Sequence, residues 1–126
     1  MSADAFRKAV ESFDLDAALA CLAPDIVFHS PVTFKPFEGR DAVAVLFGIL
    51  FRTFEDFRYV GEYATPDGDG SVLHFKTRIG DRQVDGIDMI HTRDDGLIDE
   101  FTVMVRPLSA SMALRDTVGE ELGLKS

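Results

Sequence analysis

Gln83-Val84-Asp85-Gly86-Ile87-Asp88-Met89-Ile90-His91-Thr92 is the stretch from which the rest of the chain can be read. Side chains alternate across a strand, so Val84, Gly86, Asp88 and Ile90 share one face and Ile87, Met89 and His91 the other. The first face is apolar or side-chainless except at Asp88. A carboxylate in that company is costly to bury unless it takes up a proton or meets a partner, and such groups gather at functional sites.

Working outward, Ser71 to Ile79 reads as a strand joined to this one through Gly80-Asp81-Arg82, a short hairpin loop. Arg93-Asp94-Asp95-Gly96 turns the chain into a further strand, Leu97 to Arg106. Upstream, Thr65-Pro66-Asp67-Gly68-Asp69-Gly70 is a turn cluster preceded by a strand from Phe57 to Ala64. These four segments form an antiparallel meander.

The first half is helical. Phe6, Val10 and Phe13 fall at helical spacing and predict a helix from about Ala3 to Phe13. Asp14 predicts the N-cap of a second helix, with Leu19 and Leu22 inward and Pro24 as its stop. A short strand, Ile26 to Ser30, and a proline loop, 31–39, follow. Val43, Leu46, Phe47, Leu50 and Phe54 make the stripe of a third helix, about Asp41 to Thr53. The tail, about Ser109 to Leu122, is predicted helical.

Helices followed by a meander imply an α+β domain, a strongly curved, mainly antiparallel sheet wrapped around N-terminal helices. Such a sheet leaves a conical hollow, where ligands bind. The 126 residues are expected to form one domain, 1–126, with a phenylalanine-rich core, since the chain holds 11 Phe and no Trp. A formal charge of -9 argues against nucleic-acid or anionic-membrane partners, which need clustered Lys and Arg. Cys21, the one cysteine, cannot form an internal disulfide, and no apolar run reaches the length of a membrane span. A soluble, cytoplasmic protein is expected.

Several local strings carry a family resemblance: Asp14-Leu15-Asp16, Leu22-Ala23-Pro24-Asp25, Phe28-His29-Ser30-Pro31, Phe37-Glu38-Gly39-Arg40 and Asp95-Gly96-Leu97-Ile98. Together with the order of elements, they resemble the nuclear-transport-factor-2-like superfamily. Within it, the chain is most similar to SnoaL-like proteins, the polyketide cyclase group, and to their relative ketosteroid isomerase. The resemblance runs from Phe6 to about Leu108. It implies a cone-shaped α+β barrel with a central pocket and a homodimer packed through the outer face of the sheet. The fold hosts many reactions, so the resemblance specifies architecture rather than chemistry.

Ketosteroid isomerase uses an aspartate base plus an oxyanion hole made by a tyrosine and a protonated aspartic acid. By that resemblance Asp88 matches the protonated acid, Ser30 falls at the base and Phe6 at the tyrosine. Two of the three groups are absent, so steroid isomerisation by that machinery is not expected.

Asp88 leads the candidates for chemistry, as a general acid or hydrogen-bond donor; the competing reading is an acid that only fixes the core by accepting a neighbour's hydrogen bond. His29 is a candidate base or orienting group at the end of the first strand, or a rim histidine with a structural hydrogen bond. Strict alternation points Ser30 inward and His29 outward, and a bulge before Pro31 would reverse them. Phe6, Phe28, Phe47, Phe54, Phe75, Ile90, Phe101 and Val103 are expected to line the pocket for a small apolar molecule, together with Val105.

His74, Ile87, Met89, His91 and Met104 fall on the outer sheet face, whose apolar character is best explained by a homodimer interface. No metal site is expected, because the two histidines have no third ligand at a defined spacing. No organic cofactor is expected either. The functional expectation is a pocket protein acting on a small apolar carbonyl substrate by proton transfer, as an isomerase, cyclase or dehydratase. The alternative is a non-catalytic dimeric module that binds a small ligand.

Overall fold

A computed structural model describes residues 2–123, Ser2 by its backbone alone. In chain order the elements are α1 (Ser2–Glu11), α2 (Leu15–Ala20), β1 (Leu22–His29), β2 (Phe37–Glu38), α3 (Arg40–Thr53), β3 (Glu55–Ala64), β4 (Gly70–Ile79), β5 (Arg82–Thr92), β6 (Ile98–Arg106) and α4 (Leu108–Leu122). The fold is α+β, with an open, curved six-stranded sheet in the order β2-β1-β6-β5-β4-β3.

Asp14 caps α2 as its sequence position predicts, its Oδ1 accepting from the Ala17 amide at 3.0 Å. Pro24 does not stop that helix. The helix ends at Ala20, and Pro24 lies inside β1, within the register irregularity between Leu22 and Val27. A residue without an N–H is tolerated where ladder pairing lapses. The proline loop holds one unforeseen element, β2, two residues paired antiparallel with Val27 and Phe28.

The meander β3–β4–β5–β6 is antiparallel throughout, but β1 joins it by parallel pairing to β6, with Phe28 opposite Phe101 and His29 opposite Thr102. The sheet is therefore mixed. Alternation within β5 is as the sequence implies: Val84, Gly86, Asp88 and Ile90 are buried, whereas Ile87 is half-buried and Met89 and His91 are exposed.

The concave face carries the core. Phe6 of α1, Phe28 of β1, Phe47 of α3 and Phe101 of β6 form one ring cluster, with centroids 5.2 Å apart for Phe6–Phe101 and 5.4 Å for Phe28–Phe47. A second cluster brings Phe57 within 4.9 Å of Phe75 and 5.0 Å of Tyr59. Edge-on and offset ring pairs of this kind add to the burial of apolar area. α4 closes the concave side through Ala110, Leu114 and Val118. None of the described helices is long and apolar enough to cross a membrane.

Candidate functional site

Between the helices and the sheet lies a cavity of about 220 Å³. Its walls are the rings of Phe6, Phe28, Phe47, Phe54, Phe57, Phe75 and Phe101, with Val10, Leu50, Phe51 and Val103; the exposed lining residues Glu11, Phe13 and Asp56 mark its mouth. Two polar side chains reach the interior. Asp88, 6% exposed, projects from the middle of β5 between Leu73 of β4 and Val103 of β6. Tyr59, 7% exposed, comes from β3.

The Tyr59 hydroxyl donates to Asp88 Oδ2 at 2.7 Å, and Asp88 has no other hydrogen-bond partner among the described residues. Burial pushes the Asp88 carboxyl up from the usual 3.8 to about 7, and the bond from Tyr59 offsets part of that rise. Burial, reinforced by the Asp88 charge, lifts the Tyr59 phenol well above its usual range. The pair thus presents, at neutral pH, a carboxyl poised between its two forms and a phenol that stays protonated.

Local irregularities aim Tyr59. Its strand slips register against β4 on both sides, between Glu55 and Arg58 and again between Tyr59 and Gly61. The second slip leaves Val60 unpaired, so Tyr59 and Glu62 both point to the concave side, three positions apart. Gly86 supplies room: a Cβ there would stand 2.5 Å from Phe75 Cζ and 2.8 Å from the Met104 carbonyl oxygen. Only glycine lets the Phe75 ring lie across β5 beside Asp88.

Sequence reasoning did not single out Tyr59. The resemblance put the missing tyrosine at Phe6, and Phe6 does line the cavity without a hydroxyl; the phenol comes from β3 instead. The order Phe57-x-Tyr59 puts two aromatics on one strand parity, but the slip at Val60 hides which face that parity takes.

His29 and Ser30 stand apart from Asp88. Phe28 takes the inward position at the end of β1, so His29 turns outward and its Nε2 lies 3.0 Å from Glu100 Oε2. Ser30 Oγ accepts from the Val32 amide at 3.1 Å, closing the turn at Pro31. Both line a separate depression between the loop holding Phe34 and the end of β6, to which Val105 also belongs. Ile90 is buried in the core on the same face as Asp88 but is not part of the cavity wall.

The outer face carries the chain's three histidines, each beside a carboxylate: His29 by Glu100, His74 Nε2 2.5 Å from Asp85 Oδ1, and His91 Nδ1 2.6 Å from Asp99 Oδ1. No group of three or more His, Cys, Asp or Glu among the described residues is arranged to hold a metal ion.

The fold has clear counterparts. A steroid delta-isomerase from Pseudomonas aeruginosa is 38% identical, with a TM-score of 0.91 over 97% of this chain and 89% of that one. An uncharacterised bacterial protein with a cystatin-like fold from Silicibacter pomeroyi DSS-3 is 30% identical, with a TM-score of 0.90 over 97% and 85% of the two chains. A candidate polyketide cyclase from Pseudomonas putida KT2440 shares the fold, with a TM-score of 0.73 at 16% identity over 86% of this chain and 91% of that one. No curated protein matches the sequence. Residues 3–101 match the family described as SnoaL-like domain, and with that match and these neighbours the chain belongs to the SnoaL-like family of the nuclear-transport-factor-2-like fold.

Proposed function

We propose that this chain is an acid–base enzyme of the isomerase, cyclase or dehydratase kind, acting on a compact apolar compound with a carbonyl or enolisable group. One observation carries the reading: the Asp88 carboxyl, bonded to Tyr59, faces a cavity otherwise walled by phenyl rings. In its protonated form Asp88 donates to the ligand's carbonyl oxygen while accepting from Tyr59. Charge developing on that oxygen is then met in a water-poor site, where a hydrogen bond counts for more than it does in water. A carboxyl near pH 7 is also well matched to proton transfer under neutral conditions.

Size bears on the substrate. An engineered cavity of about 150 Å³ holds benzene, so about 220 Å³ suits a ligand of roughly one or two rings. The 38% identity to a steroid delta-isomerase supports isomerase chemistry on a carbonyl compound. The test is exchange of the α-protons of 2-tetralone, an enolisable two-ring ketone, with deuterated solvent, followed by proton NMR. The enzyme reading expects exchange above buffer that drops about tenfold or more in Asp88→Asn. A ligand-binding module without turnover is the competing reading, favoured by the distance of His29 and Ser30 from the cavity. It expects saturable binding of the ketone without exchange.

We propose as well that the outer face is where two copies associate. Met89 is 42% and Met104 50% exposed, and Ile87 lies directly opposite Met104. An apolar strip of this kind on a sheet face suits a self-complementary contact.

A further inference from the structure

Proton transfer at a carbon beside a carbonyl requires a base as well as groups that receive charge on oxygen. Ser30, placed where the resemblance implies a base, has no acid and lies outside the cavity. Apart from Asp88, the carboxylates on the cavity wall are Glu11 and Asp56, both at the mouth.

These two differ in what holds them. Asp56 Oδ2 lies 2.8 Å from Arg78 Nε on a side chain that is 69% exposed, and that hydrogen bond keeps its carboxyl below the usual range. An acid so held in open water is a weak base. Glu11 ends α1, is less exposed at 45%, and is held through one oxygen at a longer distance: Arg7 Nε, one turn earlier, lies 3.2 Å from its Oε2. Among the described residues Oε1 makes no hydrogen bond, and the residue is part of the cavity's lining. Arg7 is itself fixed, its Nη1 2.9 Å from Glu62 Oε1 and its guanidinium 5.6 Å from the Tyr59 ring centroid. One arginine therefore ties Glu11 to β3, the strand that carries Tyr59. The charge of Glu11 also acts on the Tyr59 phenol.

We propose that Glu11 is the general base of this cavity, taking the proton from the carbon next to the ligand's carbonyl while Asp88, itself accepting from Tyr59, donates to the oxygen. This rests on the acid–base reading above. In the step, the C–H bond breaks and an O–H bond forms on Glu11. The C–H electron pair becomes the enolate π bond, the carbonyl π pair moves to oxygen, and the proton returns from Glu11 to the same or the conjugated carbon. No oxidant or co-reactant is consumed. Two carboxyls of one cavity, Asp88 buried against Tyr59 and Glu11 paired with Arg7, divide the acid and base roles between them. Arg7 is a positioning residue.

The same 2-tetralone exchange experiment tests the proposal with Glu11→Gln. The expected result is a loss of exchange of roughly a hundredfold or more, with ketone affinity within about twofold of wild type, since a base acts in the transition state rather than in binding. Retained ketone binding also shows that the variant is folded. Glu11→Asp, shorter by one methylene, should recover part of the rate. If Glu11→Gln exchanges at the wild-type rate, or the loss appears in Asp56→Asn instead, Glu11 is not the base although the acid–base site stands. If wild type itself exchanges no faster than buffer, the reading of the site falls and the base assignment falls with it.

Discussion

The Tyr59 hydroxyl and Asp88 Oδ2 stand 2.7 Å apart on strands separated by β4, and each is the other's hydrogen-bond partner in the cavity. Because that bond favours the charged carboxylate, it counteracts the burial that raises the Asp88 pKa. Tyr59→Phe removes the donor and leaves the burial. The Asp88 pKa should then rise above about 7, with an unfolding free energy lower by about 1 to 2 kcal/mol. Carboxyl carbon NMR across a pH titration, with selective labelling of aspartate, reads the first quantity directly. An unmoved titration in the variant would show that the bond contributes nothing in solution.

The same carboxyl predicts a stability profile. Its native pKa, about 7, lies above the unfolded 3.8, so between those values the folded protein keeps a proton that the unfolded chain has released. This contribution is therefore full below about pH 4 and is lost as pH rises toward 7, with a slope on the order of 1 kcal/mol per pH unit. His91, whose pKa Asp99 raises, acts in the same direction above its ordinary 6.5. Comparing wild type with Asp88→Asn by urea denaturation at several pH values cancels the histidine term. Stability of wild type relative to the variant should decline steadily from about pH 4 to 7; parallel curves would mean that Asp88 titrates normally.

How far the sequence reaches is clearest at these residues. Asp88 was legible because β5 is an unbroken strand, where parity alone decides which side chains turn inward. The direction of His29 was left open by a bulge possible before Pro31; in the fold Phe28 takes the inward place at the end of β1 and His29 turns outward. Tyr59 was not legible. The extra residue at Val60 reverses the alternation within β3, so parity counted from Glu62 or Ala64 places Tyr59 on the wrong face. Pairing between β1 and β6 was equally hidden, because a parallel contact between segments so far apart in sequence leaves no turn signal. Pro24 misled for a related reason: the irregular register that tolerates it exists only once β6 is alongside.

Gly86 gives a prediction about cavity shape. A Cβ at that position meets a ring atom of Phe75 at 2.5 Å and the fixed Met104 carbonyl oxygen at 2.8 Å, so a side-chain adjustment alone cannot make room. Gly86→Ala should push the Phe75 ring away from Phe57 and into the cavity. The expected cost is about 1 to 3 kcal/mol of stability, measured as a lower denaturation midpoint at unchanged slope. Affinity for 2-tetralone should fall alongside it, because Phe75 is part of the wall. Unchanged affinity would mean that the ring finds another exit.

The outer face can be probed without touching the cavity, because β5 sends Asp88 one way and Met89 the other. If two copies meet there about a twofold axis, the same patch faces itself, and one introduced charge is opposed by its own copy. Met89→Lys and Met104→Lys should each convert a wild-type dimer to monomer in sedimentation equilibrium. Both side chains are already 42% and 50% exposed in the single chain, so neither change should cost more than about 0.5 kcal/mol of subunit stability. The histidine–carboxylate pairs around the patch should keep their contacts, because Ile87 and Met104 lie between them rather than within them. A wild-type chain that sediments as a monomer at every concentration would remove this face from consideration, while leaving the Tyr59–Asp88 pair on the opposite face intact.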